Sequence, residues 1–149
     1  MDYAAIFREY RDDVYRLAIC YTKSREDAED VCQSVFMKLL SGKRPPQAGR
    51  EKPWLLTCTA NASKDRLRAF GRKRTAAEVD GVVIADDLQR DVWAAVRSLK
   101  PKYRAVVHLY YYEGYAQDEI AEILHISRTA GQTRMSRARE KLKEVLKDE

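Results

Sequence analysis

Histidine, cysteine and glycine-rich loops are scarce in this chain, and each scarcity narrows what it does. The two histidines, His108 and His125, have no cysteine or carboxylate at metal-ligand spacing. There is no glycine-rich phosphate loop and no G-x-S-x-G turn. An enzyme is therefore not expected, nor a metal or cofactor. The three cysteines, Cys20, Cys32 and Cys58, are odd in number and form no C-x-x-C pair. That weighs against a disulfide scaffold and fits a reducing compartment. Each reads as a small buried apolar side chain, with a redox sensor as the alternative. No charged-then-apolar leader opens the chain, and no apolar run approaches the length of a membrane span. A soluble, cytoplasmic protein is expected. No strand alternation persists anywhere, so the fold class is all-α.

What is present is helical periodicity and an uneven charge. The 149 residues carry a net charge of +5, which suits a polyanionic partner. Residues 2–30 hold eight acidic and five basic side chains, whereas Lys64 to Arg74 holds six basic and one acidic. An acidic region beside a basic stripe points to two different partners.

Tyr3, Ile6, Phe7, Tyr10, Val14, Leu17, Ala18 and Tyr21 keep the three-and-four spacing of a first helix. Ser24 caps a second, with Asp27 in a weak capping box and a stripe of Ala28, Val31, Cys32, Val35, Phe36, Leu39 and Leu40. Its outer face starts with Glu26, Asp27, Glu29 and Asp30. Acidic residues favour the dipole of a first turn, but four in five positions exceed what a cap requires. Ser41 to Lys52, with Gly42, Pro45, Pro46 and Gly49, is predicted to be non-helical and basic. Pro53 opens a third helix carrying Trp54, Leu55, Cys58, Ala62, Leu67 and Phe70. Asn61 in its middle is mildly unfavourable unless it faces solvent or a ligand. Trp54 beside a basic helix fits base stacking, but an ordinary core position is the better reading for Trp54 by itself. Residues 75–86 read as a linker whose Val82-Val83-Ile84 run lies either in a partner's groove or against this protein. Helices over 87–99 and from Pro101 to Glu113-Gly114 follow, the latter with Tyr103, Val106, Val107, Tyr110 and Tyr111 on its apolar face. Two small helical domains are expected, 1–74 and 87–149.

Gln117 to Lys143 is the most informative stretch. Ile120, Ile123 and Leu124 make one apolar face, and Ala121 sits where only a small side chain fits a helix crossing. Ser127 is a good N-cap for a second helix with Met135, Ala138, Leu142 and Leu146 inward. A short helix, a tight turn and a basic helix form a helix-turn-helix, whose second helix can enter a major groove. An αα-hairpin with a solvated basic face is the plainer reading.

Taken together, these parts resemble the sigma factors of the extracytoplasmic-function (ECF) type, small alternative initiation subunits of bacterial RNA polymerase. Phe7 to Ala18 resembles their first conserved helix, and Asp27-Ala28-Glu29-Asp30-Val31-Cys32-Gln33-Ser34-Val35-Phe36 their most characteristic motif. Pro53-Trp54-Leu55-Leu56 and Asn61 to Arg68 resemble the strand-opening segment, and Leu99 to Val106 with Glu113 to Leu124 the −35-binding domain. Two positions depart from the pattern. His125 stands in place of the usual turn glycine, so a strained positive φ or a differently shaped turn is expected. Ala130-Gly131 stands for the usual Thr-Val, which leaves a gap in the row with Met135 and Ala138.

The resemblance implies docking on the β′-type clamp of core RNA polymerase through Asp27, Asp30, Gln33 and Phe36, with a further contact at the β flap. It implies capture of the −10 strand by the 41–52 loop, including Arg44, together with Trp54 and Asn61. Lys64, Arg66, Arg68, Arg72 and Arg74 would hold phosphates. In the −35 groove, Gln132, Thr133, Ser136 and Arg137 would meet base edges, and Arg128, Thr129, Arg134 and Arg139 phosphates. It also implies an anti-sigma partner, of a kind that is often membrane-anchored. A stand-alone helix-turn-helix regulator and a sigma-like adaptor without promoter binding are the alternatives.

Overall fold

The computed structural model describes residues 1–70 and 93–147. The chain divides into two compact units, Met1–Ala77 and Glu78–Glu149. Among the described residues every regular element is helical. Gly71, Arg72, Arg74, the expected linker at 75–86, Leu88 and Val92 lie outside the described residues.

The first unit holds α1 (Tyr3–Thr22), α2 (Arg25–Ser41) and α3 (Glu51–Phe70), each packed on the other two. Asp2 caps α1 by accepting from the Ala5 amide at 3.1 Å, and Ser24 Oγ caps α2 by accepting from the Asp27 amide at 3.3 Å. Val14, Leu17, Ala18 and Ile19 of α1 meet Ala28, Val31, Val35 and Leu39 of α2 and Leu55, Leu56 and Ala60 of α3 in a closed apolar core. Leu40, expected on the buried stripe, is exposed, because the stripe rotates off the core at the end of α2. The helix α3 starts at Glu51, two residues earlier than Pro53 suggested, and the Glu51 carboxylate accepts from the Gly49 amide at 3.0 Å.

All three cysteines have free thiols. Burial, then the carboxylates of Glu29 and Asp12, push the Cys32 thiol up to about 12. Burial also raises Cys58, with Lys38 opposing. A redox sensor needs a low-pKa, accessible thiolate, and these two sites disfavour one. At pH 8, iodoacetamide should modify Cys32 in the native protein at least about a hundredfold more slowly than in urea. A comparable rate in both states would restore the sensor reading. The sign for stability follows. The native state favours the protonated thiol, so its contribution is complete below an unfolded pKa of about 8.5 and fades as pH rises toward the native value.

The first described element of the second unit is α4, helical at 93–97, and α5 (Pro101–Val107) follows. There α5 runs into a π-helical turn, His108–Tyr112, with the Glu113 amide donating to the His108 carbonyl at 3.0 Å. Spacing arguments predicted one continuous helix with Tyr110 and Tyr111 inward. The i→i+5 turn breaks the 3.6 period, so Leu109 is buried while Tyr111 and Tyr112 stand exposed.

Then follow α6 (Gln117–Leu124) and α7 (Arg128–Lys147). The Glu119 carboxylate accepts from the Ala116 amide at 2.9 Å, and Ser127 Oγ caps α7 by accepting from the Ala130 amide at 3.0 Å. The turn between them closes through His125, whose φ is +55°. The Ile126 amide reaches the Ala121 carbonyl at 3.0 Å and the His125 amide the Glu122 carbonyl at 3.2 Å. That pairing is a Schellman closure, which favours glycine at its left-handed residue. His125→Gly should therefore stabilise the second unit by about 1 kcal/mol, read as a higher denaturation midpoint. A lower midpoint would mean that the imidazole makes a contact worth more than the strain.

Candidate nucleic-acid interface

The core face of α3 is formed by Leu55, Leu56, Thr59, Ala60 and Ser63. A helix turns 100° per residue, so Trp54, Thr57, Asn61, Lys64 and Arg68, spaced three, four, three and four, share the opposite side. Asn61 and Arg68 are exposed, and Trp54, Thr57 and Lys64 half-buried. Trp54 is thus neither fully core nor fully free. Arg68 lies 3.6 Å from Asp65, both well exposed, so the pair yields readily to another anion. Arg44 is exposed in the loop before α3, two residues ahead of a buried Pro46.

Three of the expected contact residues turn inward instead. Asp27 is only 3% exposed and Phe36 only 7%. Phe36 packs edge-on against Phe7 with ring centroids 4.9 Å apart. Arg66 Nε donates to Asp27 Oδ1 at 2.8 Å and its Nη2 lies 2.6 Å from Asp30 Oδ2. Arg66 therefore spans the start of α2 and the second half of α3 as a cross-brace, its guanidinium engaged by two carboxylates and partly exposed. The physical reason is reach. Arg66 falls on the α3 face turned toward α2, where a guanidinium fork matches two carboxylates one turn apart. Asp27 and Phe36 belong to packing rather than to an outer docking face. On that outer face Glu26, Glu29, Gln33 and Met37 are exposed and Asp30 half-buried.

Sequence reasoning missed Met37 and Leu40, which are 63% and 57% exposed. A shallow groove lined by Gln33, Ser34, Met37 and Lys38 runs along this side of α2. The signal was available. Gln33, Met37 and Leu40 repeat at four and three, a second row that the acidic residues drew attention away from.

In the second unit α5 and α6 both pack on α7. Gly131, Met135 and Ala138 form its buried row. Thr129, Gln132, Thr133, Ser136, Arg137 and Arg139 are exposed, and Arg134 is half-buried. Arg128 Nη2 is 2.9 Å from Asp118 Oδ2 with both side chains open to solvent, a pairing that an incoming phosphate can displace. Arg137 hydrogen-bonds the Tyr103 hydroxyl. Burial raises the Tyr103 pKa, but that bond and the charges of Lys102, Arg137 and Lys100 outweigh it and leave it lowered. Arg139 Nε donates to Tyr111 Oη at 3.2 Å.

Residues 6–74 match the sigma-70 region 2 family model and residues 89–142 the sigma-70 region 4 model. Over 95% of its length the chain is 32% identical to the ECF RNA polymerase sigma factor SigE of Mycolicibacterium smegmatis, and it spans 60% of that relative. Over 80% of its length it is 34% identical to the RNA polymerase sigma factor CarQ of Myxococcus xanthus, of which it covers 74%. The chain is a member of the sigma-70 family, of the ECF type. Its fold is that of the sigma factor RpoE from Bartonella quintana, solved in complex with the anti-sigma factor NepR. The TM-score is 0.79 at 24% identity, over 98% of this chain and 97% of that one.

An ECF sigma factor is an initiation factor and not an enzyme, and it directs promoter-specific transcription. The helix-turn-helix alone also fits a repressor; the region 2 match over 6–74 removes the reason to prefer that reading. Among the described residues no helix is long and apolar enough to cross a membrane, and no group of acidic, histidine and cysteine side chains could hold a metal ion.

Proposed function

We propose that this sigma factor divides its work between the two units. Residues 1–74 dock on the β′-type clamp of core RNA polymerase and open the −10 element. Residues 75–86 link, and 87–149 anchor on the −35 duplex and meet the β flap. The outward face of α2, with Asp30 and Gln33, carries the clamp contact, supported by Asp27 and Phe36 from within. The 41–52 loop with Arg44, and the α3 row of Trp54, Asn61, Lys64 and Arg68, take the −10 strand. Unpaired bases stack on an aromatic beside a basic groove, and extruding one is least costly where the duplex already melts. Arg72 and Arg74 extend the phosphate-binding stripe.

In the second unit Gln132, Thr133, Ser136 and Arg137 meet base edges, and Arg128, Thr129, Arg134 and Arg139 hold phosphates. A cytoplasmic location and an anti-sigma partner, of a kind that is often membrane-anchored, complete the proposal. The Bartonella quintana relative was solved with such a partner.

The observation that carries this reading is the α3 row. Its mid-helix asparagine, aromatic and cations lie on the side opposite the core, and the acidic helix at 27–36, of which a repressor has no need, separates the two readings. Run-off transcription with core enzyme on a panel of genomic fragments tests it, and discrete start sites that depend on this chain are expected. Specific duplex binding with no capture of core enzyme would establish a stand-alone regulator instead. Co-purification from the native host at low salt should yield the anti-sigma protein; polymerase alone would refute that partner.

A further inference from the structure

Arg139 lies in a corner made by two tyrosines. Its Nε donates to Tyr111 Oη at 3.2 Å, and its guanidinium carbon is 5.4 Å from the centre of the Tyr110 ring. The two rings meet edge-on, with centroids 4.9 Å apart and planes at 76°. Tyr110 and Tyr111 belong to the π-helical turn after α5. That turn replaces an ordinary α-helical end and sets the two rings side by side at the surface. Tyr111 is 60% exposed, so its contact with Arg139 adds little to the core.

On α7 the residues Arg128, Gln132, Arg139 and Lys143 repeat at four, seven and four, which puts Arg139 on one outward strip with a cation at either end. An exposed arginine normally loses much rotamer freedom when it is fixed on a phosphate. Here one N–H of the fork is already engaged by Tyr111, and the guanidinium lies against the Tyr110 ring. The remaining N–H groups extend from a held guanidinium.

We infer that Tyr111 is a positioning residue for duplex binding: it presets Arg139 to receive a DNA backbone phosphate, and Tyr110 supplies the ring against which the guanidinium rests. The inference rests on the reading of α7 as the −35 anchor, and specifically on Arg139 as a phosphate contact. Because a phosphate contact carries no sequence information, a mixed-sequence DNA duplex is a sufficient probe.

The test is a double-mutant cycle on the full chain, with duplex affinity measured by fluorescence anisotropy across a salt series. Arg139→Met should weaken binding and lower the slope of log K against log salt by about 0.9. Tyr111→Phe removes only the hydroxyl. It should weaken binding about threefold with the salt slope unchanged, since the charge remains. In the Arg139→Met background the same Tyr111→Phe change should have no effect. An equal loss in both backgrounds, or no loss in either, overturns the positioning role. An unchanged affinity and slope for Arg139→Met overturns the phosphate reading itself. Equal thermal midpoints for Tyr111→Phe and the parent are expected, and a lowered midpoint that tracks the affinity loss would make Tyr111 a packing residue.

Discussion

Arg66→Ala should lower the stability of the first unit by about 3 kcal/mol, and Asp27→Ala by less, because Arg66 then keeps Asp30. The Asp27 side chain is 5% exposed and sits 2.8 Å from Arg66 Nε. Removing Arg66 takes from the buried Asp27 carboxylate the cation that lies closest to it, and the desolvation cost of that carboxylate outweighs the worth of the pair itself. Arg66 is partly open and Asp30 more so, which holds the expected loss at the lower end for buried pairs. Replacing both partners by apolar residues, as in Asp27→Leu with Arg66→Met, should recover part of it.

Trp54 lies in the first unit and Trp93 in the second. Denaturant unfolding in a Trp93→Phe background therefore reads the first unit through Trp54 alone. The contrast with Lys64 is informative. Lys64→Ala should leave the midpoint within experimental error and lower the salt slope of single-stranded DNA binding by about 0.7. If Arg66→Ala behaved like Lys64→Ala, the cross-brace would be incidental and the phosphate role expected from sequence would stand.

Gly131→Ala should stabilise the second unit by about 1 kcal/mol, and Gly131→Leu should destabilise it by about 2 kcal/mol. A Cβ added to Gly131 would lie 3.5 Å from Ala121 Cβ and 3.9 Å from Ile126 Cδ1, which is ordinary van der Waals contact. One methyl thus fits where α6 crosses α7. Anything longer must push against Ala121, whose backbone is also within 4.0 Å. The alanine gain is the familiar one of replacing an interior helical glycine, whose unfolded chain is more mobile. Thermal unfolding of the two variants decides the matter. If leucine stabilised more than alanine, the crossing would hold a true void. Gly131 is buried and lies across the helix from Thr129, Thr133 and Ser136, so Gly131→Ala should leave duplex affinity unchanged. The gap that the apolar row suggested shrinks to the space of a single methyl.

Much of the fold was legible because helices announce themselves locally. The three-and-four spacing of α1, the Ser24 and Ser127 caps and the prolines at the starts of α3 and α5 depend only on neighbours in the chain. So did the helix-turn-helix, since Ile120, Ile123 and Leu124 and then Met135 and Ala138 are buried as their spacing required, although Leu142 is only half-buried and Leu146 is exposed. The outward row of α3 could also be counted from Asn61 alone. Failures came where a residue's role depends on something far away in sequence. Asp27 and Arg66 are 39 residues apart, and no local pattern says that one will neutralise the other. The tyrosines of the π-helical turn were misplaced because one i→i+5 turn shifts the phase of everything after it.

By itself, then, the sequence determined an all-α chain with an acidic second helix, a basic third helix and a capped basic recognition helix. Helical period, capping and charge are properties of short stretches. Tertiary structure alone decided which charges remain available to a partner. Arg66 turns inward onto two carboxylates and Arg139 rests on two tyrosines, whereas Lys64 and Arg68 share the outward side of α3. A long cationic side chain reaches several ångströms in any direction, and only the packing of the surrounding helices selects one of them.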